Sequence, residues 1–142
     1  MIAMILSLIV LLLSDSRPLV EVEINGKKAV MLVDTGSSVS AIDINRLDDY
    51  GARMGRSAGI TLYGIGGKSD VVYVRDAVVS MEGILLHQFV AYDLSGVVNA
   101  VYAATGIRIS GIIGYPQIRQ AEMRIDSSNN VIQLGYGSSI SR

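Results

Sequence analysis

The sequence predicts a mainly β domain with one or two short helices. Three observations carry this. Apolar and charged residues alternate with the two-residue period of a half-buried strand, as in Val20-Glu21-Val22-Glu23-Ile24. Turn-forming pairs, Asn25-Gly26 and Glu82-Gly83, separate apolar runs. Fifteen glycines against two prolines point to many turns and close backbone approaches.

The first element stands apart. Residues 1–13 are apolar except Ser7. As a helix this run would span about 20 Å, against about 30 Å of hydrocarbon. It is short for a membrane span and has the length of a signal-peptide apolar region. No Lys or Arg precedes it, no small-x-small cleavage site follows, and Arg17, Lys27 and Lys28 lie after it. Residues 1–16 are therefore expected to be a targeting or anchoring segment, with membrane association through residues 1–13. The alternative is a core strand or helix. Localisation is otherwise open. Residues 17–137 are expected to form the folded domain, and residues 138–142 a tail.

Strands are predicted over residues 20–24 and 28–33, joined by an Asn25-Gly26 turn of positive φ. Further strands are expected at 39–44, at 60–63 and 70–74 around Gly64-Ile65-Gly66-Gly67, and at 77–81 and 84–92 around Glu82-Gly83. A last strand, 131–134, follows the turn-rich residues 126–130. A helix is predicted over 95–105, with Val97, Val98, Val101 and Ala104 on one face and Gly106 as its stop. A second is predicted over 116–123, with Pro116 in its first turn. Residues 46–54 could hold another helical turn.

Composition removes several classes of function. The chain has 142 residues, is half apolar and carries a net charge of −1. It can bury its own core and is not disordered. No basic excess suggests nucleic acid as a partner. The absence of cysteine excludes disulfides, thiolate catalysis and cysteine metal sites. The single histidine, His87, rules out a histidine-rich metal site and reads as a surface or structural residue. Gly66-Gly67-Lys68-Ser69 fails as a phosphate loop, because Leu62 stands where a glycine is needed and residues 70–74 read as strand. The carboxylates lack the clustering of a calcium loop. No cofactor and no metal are implied.

The chemistry centres on Val33-Asp34-Thr35-Gly36-Ser37-Ser38. A carboxylate at the end of the apolar strand 29–33 needs hydrogen-bond donors if it is desolvated. Thr35, Ser37 and the backbone N–H groups around Gly36 are at hand. The tripeptide alone equally suits an Asx-type turn.

Two further motifs shift that balance. Leu62-Tyr63-Gly64-Ile65-Gly66-Gly67 lies midway along the chain, and Gly111-Ile112-Ile113-Gly114 lies near its end. Tyr115-Pro116-Gln117-Ile118 and residues 121–126 and 131–134 follow. With Asp34-Thr35-Gly36, and in this order, the sequence resembles the retropepsin-like aspartic proteases over about residues 17–136. The extra length at residues 93–109, opened by Asp93-Leu94-Ser95, is closer to the single-domain cellular and bacterial members than to the compact retroviral ones.

The resemblance implies a closed retropepsin-like β-barrel and an aspartic endopeptidase. It implies catalytic roles for Asp34, Thr35 and Gly36. It implies substrate-binding roles for Ser37, Tyr63, Gly64, Ile65, Gly66, Gly67, Ile112, Ile113 and Gly114, at least one of the two isoleucines serving as packing. Residues 63–68 would be a flap over an extended peptide or protein substrate. The chemistry needs two carboxylates and the chain has one Asp-Thr-Gly, so a homodimer is implied. Thr35 would then bond across the dimer. A Ser37 hydroxyl donated to the Asp34 carboxylate would favour its charged form and an acidic optimum. A non-catalytic dimerisation or peptide-binding module of the same fold, tethered to a membrane or free, is the alternative.

Overall fold

The computed structural model describes residues 5–10, 18–64, 67–126 and 131–135. Among the described residues, twelve strands, a 3-10 helix and two α-helices follow in order. The strands are β1 (Ile5–Val10), β2 (Leu19–Ile24), β3 (Lys27–Val33), β4 (Ser40–Asp43), β5 (Arg53–Gly64) and β6 (Gly67–Arg75), then β7 (Val79–Met81), β8 (Ile84–Leu86), β9 (Phe89–Tyr92), β10 (Gly111–Ile113), β11 (Met123–Asp126) and β12 (Val131–Gly135). The 3-10 helix is Ile44–Tyr50, α1 is Ser95–Thr105 and α2 is Tyr115–Gln120. The fold is mainly β, as the sequence predicts.

The β2–β3 hairpin shows why the pattern works. Asn25 and Gly26 take φ of 51° and 82°, which matches the twist of the flanking strands. The resulting register, Leu19↔Leu32 to Ile24↔Lys27, buries Val20, Val22 and Ile24 and leaves Glu21 and Glu23 exposed. The Asn25 side chain then fastens the turn to the rest of the molecule, donating to the carbonyls of Tyr50 and Asp76 and accepting from the Val78 N–H.

Nine strands pair in the order β5-β6-β9-β4-β10-β3-β2-β7-β8. β5 and β8 are its edges, so among the described residues hydrogen bonding does not close the sheet into the expected barrel. At its centre β10 runs parallel to β3 and antiparallel to β4. The chain therefore leaves β3 at Val33, passes over the end of β10 and returns as β4. This crossing demands small residues. A Cβ on Gly111 would lie 2.2 Å from the Ala41 carbonyl oxygen, and one on Gly114 would lie 2.2 Å from that of Val39.

The sheet separates two apolar clusters. Val20, Val22, Met31, Val33, Ile113, Ile132 and Leu134 belong to the larger. Leu19, Leu32, Ala41, Ile109 and Ile112 form the smaller with Leu94, Val98 and Val101, so α1 covers a sheet face that would otherwise be bare. Gly106 ends α1 in the left-handed conformation at φ 74°. Ala104, placed on the apolar face by periodicity, is exposed.

Several boundaries differ from the sequence expectation, the largest shift being the strand predicted at 60–63, which is β5, Arg53–Gly64. The turn in residues 46–54 is a 3-10 helix stopped by Gly51 at φ 72°, after which Arg53 already opens β5. The strand 84–92 breaks at His87-Gln88, where Gln88 takes φ 69°. The helix 116–123 ends early, because Glu122 at φ 51° turns the chain into β11.

β12 pairs antiparallel with both β1 and β11 in a second, three-stranded sheet. Residues 5–10 of the apolar N-terminal segment thus lie as a strand beside β12. No helix among the described residues is long and apolar enough to cross a membrane.

Candidate active site

Asp34 sits where β3 ends. Its N–H donates to the Ile113 carbonyl at 2.9 Å, which extends the β3–β10 pairing by one residue. The chain then turns tightly. Gly36 N–H donates to Asp34 Oδ1 at 3.0 Å and Ser37 N–H to the Asp34 carbonyl at 3.1 Å. Asp34, Thr35 and Gly36 are all exposed on this loop. The structure therefore has the local turn geometry of an Asx motif, with the carboxylate presented outward.

Ser37 departs from its expected role. Its hydroxyl donates to the Val39 carbonyl at 2.7 Å, so it bridges its own loop and not the Asp34 carboxylate. Its backbone carbonyl accepts from Tyr115 N–H at 2.9 Å. Below it, Ser40 Oγ donates to Gln117 Oε1 and accepts from Gly114 N–H. Gln117 Nε2 donates on to the His87 carbonyl at 2.5 Å. Ser40 and Gln117 are buried, so this chain of bonds fixes the loop, β10 and α2 together. His87 itself is exposed, as expected of a surface histidine.

A cavity of about 360 Å³ opens beside Asp34. Of the residues expected to bind substrate, Ser37, Tyr63 and Ile112 line it. Ile113 does not, being fully buried in the larger core cluster. Gly114 is absent from its lining as well and serves the backbone crossing with Val39. Gly64 and Gly67 pair with each other at the end of the β5–β6 hairpin. Ile65 and Gly66, at its expected tip, lie outside the described residues.

The cavity also brings in residues that sequence patterns did not single out for the site. Leu62, Lys68 and Ser69 come from the hairpin, Tyr92 from β9, and Asp93 to Val97 from the start of α1. Burial pushes the Tyr92 phenol above its ordinary pKa, and the negative charge of Asp34 adds to this. Tyr92 thus stays a neutral hydrogen-bond donor. Asp93 is shifted the other way. Hydrogen bonds from the Ser95 side chain and backbone, and then from Asn45, hold its carboxyl below the usual range. These residues lie far from Asp34 in the chain. Only the strand order β9-β4-β10-β3 brings the two regions together, and periodicity does not reveal strand order. The available signal was Asp93-Leu94-Ser95, a helix-start pattern at the head of the insert.

Among the described residues no group of three or more metal-ligating side chains is assembled. The arrangement offers one exposed carboxyl beside a cavity, a neutral phenol, and a hairpin along one wall. These suit acid–base chemistry on a water more than covalent attack, since the Ser37 hydroxyl donates to the Val39 carbonyl and the Ser95 hydroxyl to Asp93, while Ser69 Oγ accepts from the Asp93 N–H.

A family model described as aspartyl protease matches residues 20–116, about two thirds of the chain. No curated protein sequence matches. Among solved structures, a retropepsin-like aspartic protease from Rickettsia conorii is 17% identical with a TM-score of 0.56, covering 95% of this chain and 94% of its own. The retroviral protease-like domain of Ddi1 from Leishmania major is 16% identical with a TM-score of 0.58, covering 89% of each chain. The EIAV protease, solved with an inhibitor, is 18% identical with a TM-score of 0.54, covering 79% of this chain and 94% of its own. At these identities the likeness is one of fold.

Proposed function

This chain belongs to the aspartyl protease family, and we propose that it is a retropepsin-like endopeptidase whose active site forms from the Asp34 residues of two identical chains. The observation that carries this is the placement of Asp34: the only Asp-Thr-Gly in the sequence ends β3 and stands exposed at a cavity walled by the β5–β6 hairpin. One such carboxyl per chain is half of what the chemistry needs. Two-fold symmetry would set the two loops face to face and cover surface that a single chain leaves open. Residues 17–137 would be the catalytic domain.

The reaction is a hydrolysis. Two carboxyl groups held close share one proton, because two like charges about 3 Å apart cannot both ionise. The ionised one takes a proton from a water between them. The oxygen of that water forms a bond to the scissile carbonyl carbon, while the protonated partner donates to the carbonyl oxygen. The tetrahedral diol then breaks its C–N bond, and the amine leaves with a proton from the pair. The pair titrates as a unit. Thr35 would bond across the dimer, and Gly36 N–H would keep each carboxyl oriented. The substrate would lie extended beneath the hairpin, with Tyr63 and Ile112 against its side chains. Closure of residues 63–68 would exclude water.

The test is whether the site needs two chains. Activity per protomer should rise with protein concentration, and an excess of Asp34→Asn protomers should poison it. Activity that ignores both would place the whole site in one chain and overturn the proposal.

A further inference from the structure

We infer that Asp93 makes the cavity beside Asp34 a subsite for a basic side chain of the substrate, an inference that deepens and rests on the protease reading above. Asp93 follows β9 and precedes α1. Its Oδ1 accepts from Ser95 N–H at 3.0 Å, from the Ser95 hydroxyl and from Asn45 Nδ2 at 3.0 Å. Its own N–H donates to Ser69 Oγ at 2.9 Å, which ties it to the hairpin strand β6. One carboxylate oxygen is thus fixed by three donors. Among the described residues Oδ2 takes no protein hydrogen bond and Asp93 has no ion pair.

A charge fixed in place and left open at one oxygen is what a recognition group needs. The bonds that hold Asp93 also keep it ionised into acid, where an aspartic protease would work. Leu62, Val97 and Ile112 line the same cavity and can cover the aliphatic stem of a lysine or arginine. Tyr92 contributes a neutral hydroxyl and no opposing charge.

Among the described residues one cation faces the cavity, Lys68 on β6. Among the described residues it holds no ion pair, and it is exposed beside the hairpin tip. A four-carbon stem lets its ammonium leave the cavity, whereas Asp93 is held. The carboxylate therefore sets the preference.

The experiment reads binding, so that it does not depend on turnover. The full chain with Asp34→Asn is titrated with fluorescent peptides that differ at one position at a time, carrying lysine, norleucine or glutamate. Lysine at one position should bind about threefold to fivefold tighter than norleucine, the scale of a solvent-exposed ion pair. Added salt should shrink the gap. Adding Asp93→Asn should remove it, because asparagine keeps the acceptor oxygen for Ser95 and Asn45 and loses only the charge. Equal affinities, tightest binding of glutamate, no peptide binding, or a lysine preference that survives Asp93→Asn would each overturn the inference. Incubating the same peptides with the unsubstituted protein separates the two claims. A lysine preference in binding with no cleavage would remove the protease reading and keep the subsite. Cleavage without a lysine preference would remove the subsite alone.

Discussion

Gly114→Ala tests the backbone crossing that places Asp34. Gly114 has φ −94° and ψ 179°, a conformation open to any residue, so the cost of a methyl group there is pure overlap. The new Cβ would lie 2.2 Å from the Val39 carbonyl oxygen, 2.6 Å from its carbon and 2.9 Å from the Ser37 carbonyl oxygen. Restoring ordinary contact, about 3.5 Å, moves backbone by roughly 1 Å. No flexible side-chain end is available to give way. The cost belongs at the top of the overpacking range, about 3 kcal/mol. The smaller conformational freedom of alanine in the unfolded chain returns about 0.5 kcal/mol. The expected net loss is about 2.5 kcal/mol, a large share of a typical stability of roughly 5–15 kcal/mol. The displaced atoms belong to the loop after Asp34, and a misplacement of this size costs about 100-fold in rate. Urea unfolding followed by circular dichroism reads the stability. Gly36→Ala is the control, since its Cβ would meet only Asp34 Oδ1 at an ordinary 3.4 Å. It should stay within about 0.5 kcal/mol of the parent, as ordinary surface substitutions do. Equal stabilities for Gly114→Ala and the parent would refute the crossing.

Other consequences are as specific. Gln117→Leu strips the partner from buried Ser40 and from the His87 carbonyl, and should cost about 2 kcal/mol in the same unfolding assay. Asn25→Ala removes three hydrogen bonds and places alanine at φ 51°, for a loss of about 2 kcal/mol. Asp93→Asn should lower thermal stability at neutral pH by an amount that vanishes in acid. The folded carboxyl titrates below its unfolded value, so its contribution is present above the unfolded pKa and is lost as the pH falls through the folded one. A difference that persists in strong acid would contradict this. Ser37→Ala should leave the acidic limb of the pH–rate profile in place, because the hydroxyl is committed to Val39. A shifted limb would show that it turns onto Asp34 in the assembled enzyme.

What the sequence revealed and what it hid divide along physical lines. Local chemistry was legible. Asn25-Gly26 requires a hairpin, Gly106 a helix stop, and the alternation from Val20 to Ile24 a half-buried strand, each decided within a few residues. Asp34 and the backbone near it were also legible, because the Asp-Thr-Gly motif follows β3 and the Gly-Ile-Ile-Gly motif runs along β10, the strand that pairs with it in parallel. Side-chain direction was not. Ser37 chose Val39 over Asp34, and Ile112 and Ile113 divided between cavity and core, because adjacent residues of a strand face opposite ways and only the assembled sheet says which way is in. The far wall of the cavity was least legible. Tyr92 and Asp93 reach the site only through the parallel pairing of β9 with β4, a contact between segments about fifty residues apart.

The most direct test is digestion of an unstructured protein by the full chain and by Asp34→Ala, prepared identically and followed from acid to neutral pH. Cleavage that peaks in acid is expected from the parent and none from the variant. Equal cleavage by both, or none from a parent shown to be folded and dimeric, would contradict this.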